Sequence, residues 1–267
     1  MHEAVTTLGG TLWVRNAIEL DYCVGPAIRS LAGVCDKVLV GDAQSTDGTL
    51  DLLTALADEL PNVEVLGNLP WGCADNYLRI SRLANMVREE LDTDWHFMLQ
   101  ADEVIHEQSY PWIRSAIELH GAPSAFTVSR FNLFGGFDRM IRMSLPNERK
   151  PCSDRVIRLA KTSIPSFSDG ESLQPAAGDC ADRTGHIVIF HYGFVRDVDK
   201  LIHKTRSMQQ WFHGPGSGYD TRIDKAKVQG RFDYKLWFQD HELDKPRWPH
   251  PKVAQRWVAD REGQWKQ

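Results

Sequence analysis

Acidic side chains follow two apolar runs that the pattern predicts to be β-strands. Asp42 comes directly after the run KVLVG, and Asp102 with Glu103 follows the run WHFMLQ. Because the carboxyl ends of parallel strands meet at one edge of a sheet, we expect these carboxylates to share a rim despite the long stretch of chain between them. Carboxylate oxygens there could bind a hard divalent cation or the hydroxyl and amide groups of a ligand.

The first of these acidic segments continues as GDAQSTDGT, which has a second possible explanation. Asp47 precedes Gly48 and Thr49, where a helix is predicted to begin. Asp42 and Asp47 could therefore cap a turn and a helix without contacting any ligand. The shared position of two acidic clusters at strand ends favours the ligand-binding interpretation.

The elements that would position these side chains alternate between short apolar runs and longer amphipathic segments. From Leu12 to about Phe97 this alternation is typical of βαβ units with a mostly parallel sheet flanked by helices, a Rossmann-like α/β fold. The predicted strands are Thr11–Val14, Lys37–Gly41, Val63–Leu66 and His96–Leu99, and the predicted helices are Gly25–Gly33, Thr49–Leu60 and Asp75–Leu91.

Beyond Ala101 the pattern is less regular and predicts an α+β half followed by a helical tail. We divide the chain into residues 1–105, residues 106–195 of the same domain, and a C-terminal extension of residues 196–267. The predicted strands are Ala125–Leu133, Asp154–Leu159 and Ile187–Tyr192, and the predicted helices are Trp112–His120, Asp197–Phe212 and Arg222–Phe238. We expect residues 214–220 to form a flexible connector. Pro246–Pro251 is predicted to be non-helical because it contains three prolines.

Composition excludes several classes of protein. The chain has 267 residues, 42% hydrophobic and 25% charged, with no run long enough to span a membrane and no leader-like start, so we expect a cytoplasmic protein without an integral membrane segment. Five cysteines without a C-x-x-C pair argue against a disulfide framework and a structural zinc site. Residues 191–267 carry 15 basic and 10 acidic side chains and five tryptophans, which fits either a helical lid or an anionic partner.

Three segments together resemble the donor half of family 2 glycosyltransferases of the GT-A fold. They are VRNAIELDY, DKVLVGDAQSTDGTLDLL and DWHFMLQADEVI, which are similar to the family's VRN, D-x-x-STDGT and D-x-D-E motifs. Weaker similarity continues in DRVIRL at 154–159 and HYGFVR at 191–196. The resemblance implies a GT-A-like fold and an enzyme that uses a nucleotide-diphosphate sugar.

The resemblance also implies roles for individual residues. Asp102 would bind Mn²⁺ or Mg²⁺, with His191 as a second ligand that suits Mn²⁺ better, although a hydrogen-bonded core histidine is an equal alternative. Gln100 replaces the first aspartate of the motif and brings no charge, so metal affinity is expected to be weak. The nucleotide-sugar site would be formed by residues near these strand ends, namely Arg15, Asn16, Asp42, Asp47, Gln100, Ala101 and Asp102.

Basic and acidic residues of the second half complete the expected site. Arg155 and Arg158 in DRVIRL, or Arg196, could carry the diphosphate charge if metal binding is weak. An inverting transfer needs a general base for the acceptor hydroxyl, and the expected candidates are Asp169 and Glu171 in SFSDGESLQ, with Asp154 as a further choice.

The function that we expect is transfer of a sugar from a nucleotide-diphosphate donor to a hydroxyl acceptor, inverting and metal-assisted. The acceptor would be a glycan or a lipid-linked saccharide. One alternative is a hydroxymethylated base in DNA, to which the basic tail is suited and the acidic body is not. A second alternative, of another class, is a nucleotide-sugar binding protein without activity; a nucleotidyltransferase is disfavoured because VRNAIELDY is not a glycine-rich basic loop.

Overall fold

The computed structural model describes residues 5–72, 77–142, 154–212 and 242–262, and the following statements concern those residues. The first third of the chain alternates strands and helices. Its elements are β1 (Leu8–Val14), α1 (Val24–Ala32), β2 (Lys37–Asp42), α2 (Thr49–Glu59), β3 (Val63–Leu66), α3 (Arg79–Glu89) and β4 (Trp95–Leu99).

These four strands form a parallel sheet in the order β3-β2-β1-β4. In its register, Val14 of β1 lies beside Asp42 of β2, and Leu12 lies beside Leu99 of β4. All four strands therefore end at the same edge, where loops after each strand converge. This parallel arrangement confirms the α/β fold that the alternating pattern predicts.

Alternate residues of the strands face two separate layers of helices. Val38 and Val40 of β2 pack in a core with α1, α2 and α4, whereas Leu39 between them packs against Leu83 and Val87 of α3. Each of these side chains contributes roughly 1.5–3 kcal/mol by leaving water. The strands are apolar on both faces because both faces are covered, as expected for a parallel sheet.

The second half extends the same sheet with antiparallel and parallel strands. Its elements are β5 (Glu103–Ile105), α4 (Tyr110–Ile117), β6 (Ala125–Phe134), β7 (Met140–Ile141), β8 (Arg155–Lys161), β9 (Ser166–Phe167), β10 (Ser172–Leu173), β11 (Cys180–Asp182), β12 (Val188–Phe194), α5 (Val198–Phe212), β13 (Leu243–Asp244) and α6 (Lys252–Glu262). Strand β8 pairs antiparallel with β4 on one side and with β6 on the other, while β12 pairs parallel with β6 and antiparallel with β5.

Most element boundaries lie within a few residues of the sequence predictions, and β3 matches them fully. Helix α3 begins at Arg79 rather than Asp75, although Asp75 itself lies outside the described residues. The pattern missed helix α6, which begins directly after the proline-rich segment. The predicted connector at 214–220 and the predicted helix Arg222–Phe238 also lie outside the described residues.

No helix within the described ranges combines the length and apolarity that crossing a membrane requires. The division at residues 105 and 195 stays a prediction.

Candidate functional site

Asp42 and Asp102 lie at the same edge of the sheet. Asp42 is the last residue of β2, Asp102 follows β4 by three residues, and β1 runs between these two strands. Two strand spacings separate the two positions, about 10 Å. Both side chains are almost completely buried, which is unusual for a carboxylate without a role in binding or structure.

One carboxylate oxygen of Asp42 has no hydrogen-bond partner among the described residues. Its Oδ2 accepts a hydrogen bond from the Ser45 backbone N–H at 3.1 Å, whereas its Oδ1 is buried and unpaired. A buried acceptor without a partner costs about 1–3 kcal/mol. The unpaired oxygen is therefore an acceptor that a donor group of a ligand could satisfy.

Arg15 builds the wall beside Asp42. Its guanidinium donates hydrogen bonds to the carbonyl oxygens of Ala43, at 2.6 Å, and Gln44, and stacks 4.8 Å above the ring of Trp71. Gln44 is held in the left-handed region with φ of 57°, and its amide donates to Asn68 at 3.2 Å. This part of the edge combines an aromatic ring, which Arg79 and Trp211 also contact, with polar groups.

Asp47 and Asn16 have contacts that shape the loops. Asp47 accepts hydrogen bonds from the Thr49 hydroxyl at 2.6 Å, the Thr49 N–H at 3.1 Å and the Glu19 N–H at 2.7 Å. Asn16 accepts from the Thr46 N–H at 3.0 Å and donates to Glu19 at 2.8 Å. Asp47 thus caps the start of α2, as the alternative explanation in the sequence suggested, and a ligand role for it or for Asn16 stays a prediction.

Asp102 faces three basic side chains. Its Oδ2 accepts a hydrogen bond from the Lys204 ammonium at 2.6 Å, and the same oxygen lies 3.7 Å from His191 Nε2 and 3.9 Å from Arg196 Nη2. Lys204 also donates to the Gly193 carbonyl oxygen at 3.0 Å. We call Asp102, His191, Arg196 and Lys204 the basic cluster.

Charge and burial set the protonation of this cluster. Burial would raise the pKa of Asp102, but Lys204, His191 and Arg196 together hold it well below its usual range. Burial and the neighbouring Arg196 lower the pKa of Lys204 to about 8, against the opposing effect of Asp102. One carboxylate is thus surrounded by an excess of positive charge, and such a place favours an additional anion.

His191 is oriented by β6. Its Nδ1 lies 2.8 Å from Oδ1 of Asn132, which can accept a hydrogen bond from the ring N–H. The other ring nitrogen, Nε2, lies 3.7 Å from Asp102 Oδ2. Gly193 leaves room for the ring, since a Cβ built at that glycine would lie 2.3 Å from His191 Nε2.

Arg158 does not lie in the basic cluster. Its guanidinium donates to Glu103 Oε1 at 2.7 Å and Oε2 at 2.9 Å, and both side chains are fully buried. Glu103 also accepts from the Gln100 N–H at 3.0 Å, so the pair fixes the loop that carries Asp102. The geometry indicates a positioning role for Arg158, and the expected diphosphate contact stays a prediction.

The expected general bases occupy different surroundings. Glu171 forms an ion pair with Arg130 and lies 3.4 Å from the Gln100 amide, so it borders the site. Burial opposes ionisation of Glu171, but Arg130 and Arg158 lower its pKa. Asp169 accepts a hydrogen bond from the Glu171 N–H at 3.1 Å and so supports the loop.

The remaining predicted site residues lie at the start of β8 or in the loop after β4. Asp154 is buried just before β8, and Arg155 is exposed, 3.7 Å from Asp182. Ala101 is buried and its carbonyl oxygen faces the Cys23 thiol at 3.8 Å. None of these three contacts the basic cluster through a hydrogen bond or ion pair given by the described residues.

The expected divalent cation fits this site poorly. Asp102 and His191 do lie together, but the Asp102 oxygen that faces His191 is already bonded to the Lys204 ammonium. Gln100 supplies no charge, and the described part of the chain contains no group of three or more His, Cys, Asp or Glu side chains that could hold a metal ion. The donor set therefore does not match a Mn²⁺ or Mg²⁺ centre.

The sequence-based reasoning missed Lys204 as a site residue. It lies on α5, 102 residues from Asp102, and no motif marks it. The available signal was its place beside Leu201 and Ile202 on the buried side of an amphipathic helix, where a lysine needs an acidic partner.

Comparison with known proteins gives similarity in three dimensions only. No protein-family model matches the chain, and no curated protein matches it in sequence. Among solved structures, residues 1–349 of TarS from S. aureus are similar over 87% of this chain and 72% of that fragment, with 11% sequence identity and a TM-score of 0.47. The same fragment in complex with UDP is similar over 88% of this chain and 73% of the fragment, with 12% identity and a TM-score of 0.46. The mannosyltransferase PcManGT from Pyrobaculum calidifontis, in complex with GDP-Man and Mn²⁺, aligns with 85% and 70% at 10% and 0.46. Similarity at this level identifies neither the substrate nor the chemistry of the protein.

Proposed function

We propose that the protein is a glycosyltransferase that transfers a sugar from a nucleotide-diphosphate donor to a hydroxyl acceptor. The observation that carries the proposal is the pairing, at one edge of a parallel sheet, of an unpaired buried acceptor on Asp42 with the basic cluster around Asp102. A nucleotide-diphosphate sugar has a donor-rich nucleoside at one end and a doubly charged diphosphate next to the sugar. Its two parts match the two parts of this edge.

In this proposal the nucleoside contacts the wall formed by Asp42, Arg15 and Trp71. Asp42 Oδ1 would accept a hydrogen bond from a base N–H or a ribose hydroxyl, which satisfies the unpaired oxygen. The base would lie beside the Trp71 ring, which the guanidinium groups of Arg15 and Arg79 each contact at 4.8 Å and which Trp211 meets edge-on. The diphosphate then lies toward the basic cluster, two strands away.

Glu171 is proposed as the general base of an inverting transfer. The acceptor oxygen attacks the anomeric carbon, its proton passes to the Glu171 carboxylate, and the bond between the anomeric carbon and the diphosphate oxygen breaks, with the electron pair leaving on the diphosphate. Glu171 suits this role by its place beside Gln100 at the site, and Arg130 and Arg158 keep it ionised by lowering its pKa against the effect of burial, although a lower pKa also makes it a weaker base.

We propose a glycan or a lipid-linked saccharide as the acceptor. Incubation with a panel of UDP-, GDP-, TDP- and ADP-sugars, with saccharides and with hydroxymethylated duplex DNA as acceptors, tests both the reaction and the acceptor class. Sugar transfer to a saccharide supports the proposal, transfer to DNA alone corrects the acceptor, and nucleotide-sugar binding without hydrolysis or transfer favours a binding protein.

Substitution of Asp42 tests the nucleoside site. Asp42→Asn keeps the shape but removes the charge, and we expect nucleotide affinity to fall about 10- to 100-fold, the value of one charge-assisted hydrogen bond. Asp36→Asn is the matched control, because Asp36 precedes the same strand at its opposite end and pairs with Arg114. Calorimetric titration with UDP and GDP should show loss of affinity in the first variant and not in the second; equal affinity in both would refute the assignment.

A further inference from the structure

The basic cluster contains its own cation at the position where a nucleotide-sugar enzyme needs positive charge. The Lys204 ammonium lies between Asp102 Oδ2, at 2.6 Å, and the Gly193 carbonyl oxygen, at 3.0 Å. An ammonium has three N–H donors, and no third acceptor for Lys204 is found in the described part of the chain. The ammonium also faces the rings of Tyr22 at 5.2 Å and Phe194 at 5.9 Å, which are not conventional acceptors, so one donor is left for an oxygen of a ligand.

Arg196 adds a second fixed charge at the same place. It is 2% exposed, donates to the Leu20 carbonyl oxygen, and brings Nη2 to 3.9 Å from Asp102 Oδ2. Its Nε is buried without an acceptor among the residues that the structure describes. Two buried cations, each with an unused donor, share one carboxylate, which leaves a net positive charge that an anion would neutralise.

A divalent cation at Asp102 would compete with this arrangement. It would displace the Lys204 ammonium from its carboxylate and would lie close to two like charges in a buried setting, where repulsion is strong. Gln100 offers no compensating charge on the other side. The residues therefore favour an anion over a metal ion.

We propose that Lys204, supported by Arg196, is the cation that binds the diphosphate of the donor, so that the protein binds nucleotide diphosphates and transfers sugar without a divalent metal. This inference rests on the proposed function. As the bond to the anomeric carbon breaks, the leaving diphosphate oxygen takes the electron pair, and the Lys204 ammonium compensates the charge that develops there. Asp102 is then a positioning residue that holds the ammonium at the site.

Titration of the full chain with UDP and with GDP, in EDTA and then in MnCl₂, tests this directly. We expect affinities in the two conditions to agree within about threefold, and Lys204→Met to lower affinity in EDTA about 10- to 100-fold. Lys204→Arg, which keeps a cation, should retain part of the affinity. Lys200→Met is the matched control, since Lys200 lies one turn earlier on α5 and is exposed.

Loss of Lys204 leaves Asp102 short of a partner, so the fold must be checked separately. The double variant Asp102→Asn/Lys204→Met removes both charges together, and its melting temperature shows whether the cluster tolerates the change. A folded double variant that fails to bind in EDTA supports the proposal. Full nucleotide binding by that folded variant in EDTA overturns it.

Two other outcomes separate this inference from the proposed function. Binding that requires MnCl₂ and is lost in EDTA overturns the metal-free site but leaves a glycosyltransferase. Binding of neither nucleotide, nor of ADP, CDP or TDP, in both conditions overturns the proposed function and this inference with it. Sugar transfer measured in EDTA provides the second readout and should equal transfer in MnCl₂ within about threefold.

Discussion

The buried ion pair between Glu103 and Arg158 gives the sharpest quantitative prediction. Both side chains are fully buried, and two hydrogen bonds of 2.7 and 2.9 Å join them. Breaking such a pair by removing one partner costs about 3–5 kcal/mol, because the remaining charge is left buried. We therefore expect Arg158→Met to lower the free energy of unfolding by an amount at the lower end of this range, because Arg130 Nη1 still lies 3.5 Å from Glu103 Oε1.

A double-mutant cycle measures the coupling between Glu103 and Arg158, with Arg130, the second cation beside Glu103, present in all four proteins. Glu103→Gln alone should also destabilise, because it leaves the Arg158 guanidinium with the Glu171 carbonyl oxygen and no carboxylate. The double variant Glu103→Gln/Arg158→Met contains neither charge, so its loss should be smaller than the sum of the two single losses by about 2–3 kcal/mol, within the range of coupling energies for residues in contact. Urea unfolding followed by tryptophan fluorescence measures all four proteins.

The same experiment distinguishes a positioning role from a ligand role. If Arg158 contacts the diphosphate, Arg158→Met should lose nucleotide affinity while its unfolding free energy falls by less than about 1 kcal/mol. Additive losses in the cycle, together with such an affinity change, would refute the assignment of Arg158 to the Glu103 loop. Loss of stability with strong coupling supports it.

Three further predictions concern Gly193, His96 and Glu171. Gly193→Ala places a Cβ 2.3 Å from His191 Nε2 and 3.2 Å from Asp102 Oδ2, so we expect nucleotide affinity to fall about tenfold by calorimetry and the free energy of unfolding to fall by about 1–3 kcal/mol, the usual cost of overpacking; unchanged affinity would contradict the geometry. Burial, with a smaller effect of Arg88, lowers the pKa of His96 from 6.5 to about 3. His96 is therefore neutral in the folded state while it becomes protonated in the unfolded state below pH 6.5, so the free energy of unfolding should fall by about 1.4 kcal/mol per pH unit as the pH drops below 6.5. His96→Leu should flatten this slope in urea melts between pH 6.5 and 4.5, and parallel curves would exclude His96 as the cause. Glu171→Gln should lower kcat about 10²- to 10⁴-fold, and the acidic limb of the wild-type kcat/KM profile should lie below the ordinary glutamate pKa; a limb near pH 7 would point to another base.

The sequence was sufficient to predict the parallel half of the fold because local patterns determine it. Alternating apolar runs and amphipathic helices specify βαβ units, and parallel strands end at one edge, so the common location of Asp42 and Asp102 follows without knowledge of any contact. The predicted ends of α1 near Gly33 and of α2 before Pro61 also lie within a residue or two of the observed ends. Helix α6 was not predicted as a separate element, because the prolines before Lys252 disfavour a helix in that part of the chain.

The contacts of charged side chains could not be predicted in the same way. Arg158 is fully buried where the β6–β8 register shifts between Ile157 and Leu159, and nothing local names Glu103, 55 residues away, as its partner. Lys204 likewise depends on how α5 packs against the loop after β4. Long-range ion pairs are set by tertiary packing. The resemblance implied a metal ion at Asp102 and gave no reason to expect Lys204 beside it.

A crystal structure of the chain with whichever nucleoside diphosphate binds most tightly, grown in EDTA, tests the central claim most directly. We expect the nucleoside to lie within hydrogen-bond distance of Asp42 Oδ1 and a diphosphate oxygen to lie within hydrogen-bond distance of the Lys204 ammonium. A nucleotide bound away from the edge formed by β1, β2 and β4, or one whose diphosphate contacts neither Lys204 nor Arg196, would contradict it.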